Sequence, residues 1–257
     1  MSYVSELSGK KCLVIGAGVT GQAVDKALKK FGATSYLFDE KTNPNLNVID
    51  QIPQGIDFAV VSPGWRSDHP VILKLKNLGV EIMGEVDFAW KIKEVIAPSQ
   101  KWVALTGTNG KTTTIKMVES IFQSAKINGA ACGNVGQTVI ESVIQEPALD
   151  YLALELSSFQ MHWSELPKYE SVALLNIAED HIDWHGKRAA ARTARCSRCS
   201  DCARPLGPVR TCKRIGKKIS GKDRGKWFIQ ANTCHDDLRL RTLSINGADF
   251  WCTADVP

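Results

Sequence analysis

Glutamate is absent after residue 186, although acids are plentiful before that point. No uninterrupted apolar run approaches the ~20 residues that span a bilayer. The N-terminal "MSYVSELSGKK" lacks the apolar core of a signal peptide. The expectation is a cytoplasmic protein with no membrane insertion. Cysteine is also scarce through residue 186, where only Cys12 and Cys132 occur. In a reducing compartment structural disulfides are not expected.

The overall charge of +5 conceals two unlike segments. Residues 1–186 carry 16 Lys and Arg against 21 Asp and Glu, a net of −5. Residues 187–257 carry 16 against six, all of them Asp, a net of +10, and hold six of the eight cysteines. A basic character suited to an acidic partner is therefore confined to the tail.

Up to residue 186 apolar runs alternate with helical spacing. "KKCLVIGAG" reads as a strand ending in glycines, and "VTGQAVDKALKKFG" as a helix with Val24, Ala27, Leu28 and Phe31 on one face. "TSYLFDE" and "IDFAVVSPG" are further strands, and "HPVILKLKNLG" is a helix with Gly79 after its last turn. A second series runs "KWVALTG" (strand), "GKTTTIKMVESIFQSA" (helix), "DYLALELSS" and "SVALLNIAED" (strands). This alternation predicts an α/β fold with parallel sheets. A Rossmann-like N-terminal domain over 1–93 precedes a truncated phosphate-loop parallel-sheet central domain over 94–186, with residues 94–98 as the linker. The tail 187–257 is left unassigned.

"TGTNGKTTT", Thr106–Thr114, sits between a predicted strand and helix. Gly107 and Gly110 let backbone N–H groups turn toward an anion, Lys111 adds a point charge, and Thr112 offers a hydroxyl to a phosphate-bound Mg²⁺. The usual phosphate loop has glycine where this chain has Leu105, so the spacing is a shorter variant. ATP is the expected ligand, at Gly107, Thr108, Asn109, Gly110, Lys111, Thr112 and Thr113. Earlier, Gly16, Gly18 and Gly21 form G-x-G-x-x-G after a strand, and Asp39 ends the next strand about 20 residues on. That pattern suits any pyrophosphate-bearing ligand; with a separate ATP loop present, a nucleotide-linked substrate is favoured over NAD. Ser62–Gly64, "SPG", ends the third strand on the same edge. Glu155, in "LELSSFQ", can hold Mg²⁺ beside the loop. Glu179, Asp180, His181 and Asp183 offer a second cation site.

Together these stretches resemble the Mur ligases, ATP-dependent amide-forming enzymes of bacterial cell-wall synthesis. "GTNGKTTT" is shared across that superfamily, folate-polyglutamate relatives included. "GAGVTG", "SPG", "GEVDFAW", "GNVG" and "ELSSFQ" look like the member that adds D-glutamate to UDP-N-acetylmuramoyl-L-alanine, in the expected order from about residue 10 to 186. The resemblance implies a sugar nucleotide against Val19, Thr20, Asp39 and Ser62, contacted also by Asn134 from the second domain. It implies ATP phosphates and Mg²⁺ at Lys111 and Thr112, cation sites completed by Glu155 and His181, and catalytic roles for Lys111, Glu155 and His181. A monomer with no nucleic-acid partner is expected. In that family a Tyr-x-x-Ala-Lys helix follows "DWHG", and its carbamylated lysine supports a metal.

That helix is missing after Gly186, and no lysine occurs between Lys187 and Lys213. Cys196, Cys199, Cys202 and Cys212 have the spacing of a zinc or iron–sulfur site, but no apolar-periodic elements surround them. A nucleic-acid arm has the charge, yet Trp227, Phe228, Phe250 and Trp251 do not interleave with the basic residues. A replacement domain is a further reading. Loss of Glu, the surge of Arg and Cys and the end of the motifs coincide, which favours out-of-frame translation and a product without ligase activity. Sequencing the coding DNA across codons 180–260 is expected to restore Tyr-x-x-Ala-Lys in a shifted or corrected frame; three frames without it would establish the tail as genuine.

Overall fold

The computed structural model describes residues 2–41, 45–176 and 184, and the backbone of 231–232, 243–245 and 248–250. Two five-stranded sheets organise them. The first has the order β3 (Val48–Ile49), β2 (Thr34–Phe38), β1 (Lys11–Ile15), β4 (Phe58–Val61), β5 (Glu81–Gly84), all parallel. β1 and β4 are buried almost throughout, as strands covered on both faces must be. Helices α2 (Val19–Lys30), α3 (Pro70–Asn77) and α4 (Glu85–Ile96) accompany this sheet, and α1 (Tyr3–Glu6) packs on α4. The helix expected after the glycine loop forms, burying Ala23, Val24, Ala27 and Leu28. Phe31 lies just beyond its end.

The second sheet has the order β10 (Ala231–Asn232), β9 (Ser171–Leu174), β6 (Lys101–Thr106), β8 (Tyr151–Glu155), β7 (Gly129–Gly133). Its members are parallel except β10, which runs antiparallel to β9. α5 (Lys111–Ser124), α6 (Val139–Ile144) and α7 (Ser158–His162) belong to it, and β11 (Leu243–Ile245) pairs with β12 (Ala248–Phe250) as a separate ribbon. α4 continues to Ile96, so the connection between the sheets is residues 97–100 rather than 94–98.

Register sets the functional edges. Ile15 lies opposite Phe38 and Val61, so Gly16, Asp39 and Ser62 leave the first sheet side by side at its carboxyl edge. Leu105 lies opposite Glu155 and Ala173, and Gly133 opposite Glu155. The phosphate loop, Glu155, Asn134 and the segment after β9 therefore share the carboxyl edge of the second sheet, where open α/β sheets bind ligands.

One apolar core spans both sheets, running from Cys12, Val60 and Phe88 to Trp102, Ile140 and Leu154. Its seam is α4. Glu85, only 2% exposed, accepts the Ile140 amide at the start of α6 (2.7 Å). Asp87 accepts the Ser164 hydroxyl (2.9 Å) and the amides of Glu165 (2.8 Å) and Leu166 (3.1 Å). Trp102 closes the seam with its ring edge-on to Trp90 and its indole N–H on Gln100.

Burial raises the Glu85 carboxyl from 4.5 to about 7, against the opposing pull of the Ile140 and Val139 amides. The folded chain thus retains a proton that the unfolded chain releases near its ordinary value. Stability falls as pH rises between those two values, by about 3 kcal/mol across the window. Glu85→Gln keeps an acceptor for Ile140 and is expected to abolish that fall, read by urea unfolding at pH 5 and pH 8. An unchanged pH dependence would assign the effect elsewhere.

Candidate functional site

The first candidate site is a cavity of about 740 Å³ at the carboxyl edge of the first sheet. Its wall includes Gly16, Val19, Thr20, Asp39, Ser62 and Trp65, so four of the five residues expected to meet a sugar nucleotide converge there. Val19, at the start of α2, is 73% exposed. Asp39 uses one oxygen on the Ala17 amide (2.7 Å) and the other on the Lys41 amide (3.1 Å). One carboxylate oxygen thus holds the glycine loop and the other the turn just past β2, in contrast to the acid that grips a ribose in the dinucleotide fingerprint. The Ser62 hydroxyl faces the Gly16 carbonyl at 3.4 Å.

Sequence reasoning missed the aromatic wall of this cavity. The Trp65 ring meets His69 edge-on at 4.6 Å and lies 5.9 Å from Phe38. Two tryptophans beyond β8 hold the same loop from outside: Trp163 donates its indole N–H to the Trp65 carbonyl (2.9 Å), and Trp184 donates to the Gly64 carbonyl (3.0 Å). "SPGW" followed by a polar run carried no signal that its carbonyls would be donor targets.

The glycine fingerprint makes unequal demands. A Cβ on Gly21 would stand 1.7 Å from the Gly16 carbonyl oxygen, whereas one on Gly18 meets nothing within 4 Å. Gly21→Ala must therefore separate α2 from the loop. It is expected to cost about 3 kcal/mol or more, with Gly18→Ala close to neutral, in denaturant unfolding. Equal effects would contradict this geometry.

The second candidate site is the phosphate loop. Gly110 adopts the left-handed conformation (φ 81°) and caps α5, whose first turn holds Lys111, Thr112 and Thr113. Lys111 Nζ donates to the carbonyls of Gly107 (2.8 Å) and Thr108 (3.1 Å). The Thr108 amide donates to the Asn176 carbonyl (3.1 Å). The Asn176 side chain accepts from the Asn109 amide and donates to the Asn109 carbonyl, both at 2.8 Å. Asn176 was not singled out in the sequence, where it is one polar residue inside "LLNIAED".

Glu155, at the end of β8, is 1% exposed. Its Oε1 receives the Thr112 hydroxyl (3.4 Å) and the Asn134 side-chain amide (3.1 Å), while its Oε2 is buried without a partner. Asn134 therefore sits against Glu155 and is absent from the wall of the first cavity. An unpaired buried carboxylate oxygen beside a threonine hydroxyl suits a hard cation such as Mg²⁺, which takes one or two protein oxygens and keeps water for the rest. Among the described residues no group of three His, Cys, Asp or Glu gathers for a metal. Glu179, Asp180, His181 and Asp183, like Cys196, Cys199, Cys202 and Cys212, lie outside the described residues.

The "ELSSFQ" stretch has a structural purpose as well. Ser157 caps α7 and Gln160 reaches back to the Ser157 amide (3.0 Å), a reciprocal capping box. The cap turns the chain sharply just past Glu155.

A family model for the Mur ligase middle domain matches residues 105–197, continuing past Gly186 into the basic stretch. The chain is 38% identical over 199 residues to the UDP-N-acetylmuramoylalanine–D-glutamate ligase of Thermobifida fusca (strain YX), covering 70% of this chain and 42% of that protein. It is 39% identical over 198 residues to the enzyme of that name from Rhodococcus jostii (strain RHA1), covering 70% and 40%. A solved UDP-N-acetylmuramate:L-alanyl-γ-D-glutamyl-meso-diaminopimelate ligase from Neisseria meningitides matches 73% of this chain and 66% of its own, at 18% identity and a TM-score of 0.48. The chain spans about two fifths of the length of the curated relatives it matches. With its glycine-loop cavity, phosphate loop and buried Glu155 in that order, the N-terminal part of this chain belongs to the Mur ligase family.

Proposed function

We propose that residues 1–186 are the sugar-nucleotide and ATP-binding part of a ligase that joins D-glutamate to UDP-N-acetylmuramoyl-L-alanine in peptidoglycan synthesis. The observation that carries this is Glu155, a buried carboxylate with an unpaired oxygen, set between the phosphate-loop Thr112 and Asn134. Two relatives at 38% and 39% identity bear the name of that ligase. The division into a sugar-nucleotide domain (1–93), an ATP domain (94–186) and a basic tail (187–257) is part of this proposal. So are a monomeric state and a cytoplasmic location. No helix among the described residues is long and apolar enough to cross a membrane.

In this reading the substrate's alanyl carboxylate takes the γ-phosphoryl group of ATP, releasing ADP and leaving an acyl phosphate. The D-glutamate amine then attacks the carbonyl carbon, phosphate departs and the amine loses a proton. Activation is needed because a free carboxylate is a poor electrophile at neutral pH. Lys111 and the first-turn amides of α5 offset charge on the transferring oxygens. Thr112 and Glu155 would hold Mg²⁺, which when bound supplies further positive charge there. Val19, Thr20, Asp39 and Ser62 position the sugar nucleotide, and His181 completes a second cation site.

The loss of the Tyr-x-x-Ala-Lys pattern after Gly186 supports a narrower reading of the chain as it stands: binding without turnover. A non-catalytic nucleotide-sugar-binding remnant is the same molecule seen from that side. The 257-residue chain is expected to bind Mg-ATP and UDP-N-acetylmuramoyl-L-alanine by calorimetry. Glu155→Gln should weaken ATP binding at least about tenfold in the presence of Mg²⁺ and much less without it. No phosphate release is expected. Phosphate release that requires both D-glutamate and the sugar nucleotide would overturn the non-catalytic reading. Absence of both binding events would overturn the assignment itself.

A further inference from the structure

The phosphate loop of this chain is held by a residue outside it. Three hydrogen bonds run from Asn176, just past β9, to two consecutive loop residues: its carbonyl takes the Thr108 amide, and its side chain brackets Asn109 by accepting from the amide and donating to the carbonyl. Leu175, its neighbour, donates its amide to the Thr106 carbonyl (2.9 Å), so the loop is tied at its base as well. We infer that Asn176 is a positioning residue for ATP, committing the Thr108 and Asn109 amides to the protein so that the phosphates meet the amides at the start of α5.

The reasoning is one of donor accounting. An anion cradle uses backbone N–H groups that have no other acceptor. At the head of α5 the amides of Lys111, Thr112 and Thr113 have no intrahelical partner, because a helix leaves its first N–H groups unpaired. Thr108 and Asn109 would add two more donors to the loop, but both are occupied by Asn176. The cradle is thereby confined to the left-handed Gly110 turn and the first turn of the helix. Lys111 is positioned through the same device. Its Nζ rests on the Thr108 carbonyl, and Asn176 fixes Thr108 from the amide side.

Asn176 is exposed, and the bonds that it makes lie at the surface, so its side chain contributes little to the core. Loss of that side chain should free the loop without unfolding the sheet. An aspartate at the same position keeps the acceptor for the Asn109 amide but loses the donor to the Asn109 carbonyl and places a negative charge beside the phosphates.

This inference rests on reading the loop as an ATP site, and the test separates the two. Amide exchange by NMR on the full chain without nucleotide is compared for wild type, Asn176→Ala and Asn176→Asp, and Mg-ATP binding is then measured by calorimetry. Asn176→Ala is expected to speed exchange of the Asn109 amide at least tenfold with β6 and β8 unchanged, and to weaken Mg-ATP binding at least tenfold. Asn176→Asp is expected to retain most of the Asn109 protection yet still weaken binding. Unchanged Asn109 exchange in Asn176→Ala overturns the inference whether or not nucleotide binds. Faster exchange with undiminished Mg-ATP binding overturns it as well. A wild-type chain that binds no Mg-ATP overturns the ATP reading and, with it, the positioning role.

Discussion

Two buried carboxylates on the first turn of α4 hold the two halves of this molecule in one arrangement. Glu85 accepts the amide that opens α6, and Asp87 gathers the hydroxyl of Ser164 and the amides of Glu165 and Leu166. Both are nearly inaccessible to water, so removing either would strand backbone donors in an apolar seam. Apolar contact between α4 and α6 supplies attraction, but such contact tolerates sliding. The hydrogen bonds fix the register, and with it the placement of the glycine-loop cavity relative to the phosphate loop.

The segment from β8 to the end of α7 shows how one short stretch serves both sites. Glu155 ends β8 beside Thr112; the capping box of Ser157 and Gln160 then turns the chain, and Trp163 reaches the loop carbonyl of Trp65 across the seam. The Trp163 carbonyl in turn accepts the Gly84 amide at the end of β5 (3.1 Å). A change in the position of α7 is thus felt at the cavity wall as well as beside the phosphate loop. The two candidate sites are thus linked through one packed stretch of chain.

Much of this was legible in the sequence because it depends on local rules. Continuous apolar runs pointed to β1, β4, β6 and β8, and the spacing of Val24, Ala27 and Leu28 to the buried face of α2. The short strands β3, β5 and β7 and the helices α6 and α7 escaped, since two to six residues carry too little periodicity to announce themselves, and the longer α4 was not assigned either. Among candidate site residues, Asp39 and Ser62 were found from glycine spacing and strand ends, Val19 and Thr20 only through the family resemblance, and all four line one cavity. Asn176, Trp163 and Trp184 were not found, because their partners are backbone groups distant in the chain, and backbone acceptors leave no mark on residue type.

By itself the sequence determined the class of fold, the two glycine-bearing turns and the presence of a phosphate loop followed by a strand-end carboxylate. These follow from propensity and periodicity, which act over a few residues. Tertiary structure alone decided that Asp39 holds the Ala17 amide of the glycine loop, that Asn134 faces Glu155 rather than the first cavity, and that Glu85 and Asp87 join the sheets. The physical reason is that a polar side chain goes to whichever donor or acceptor burial would otherwise leave unpaired, and only the packed chain specifies which one that is.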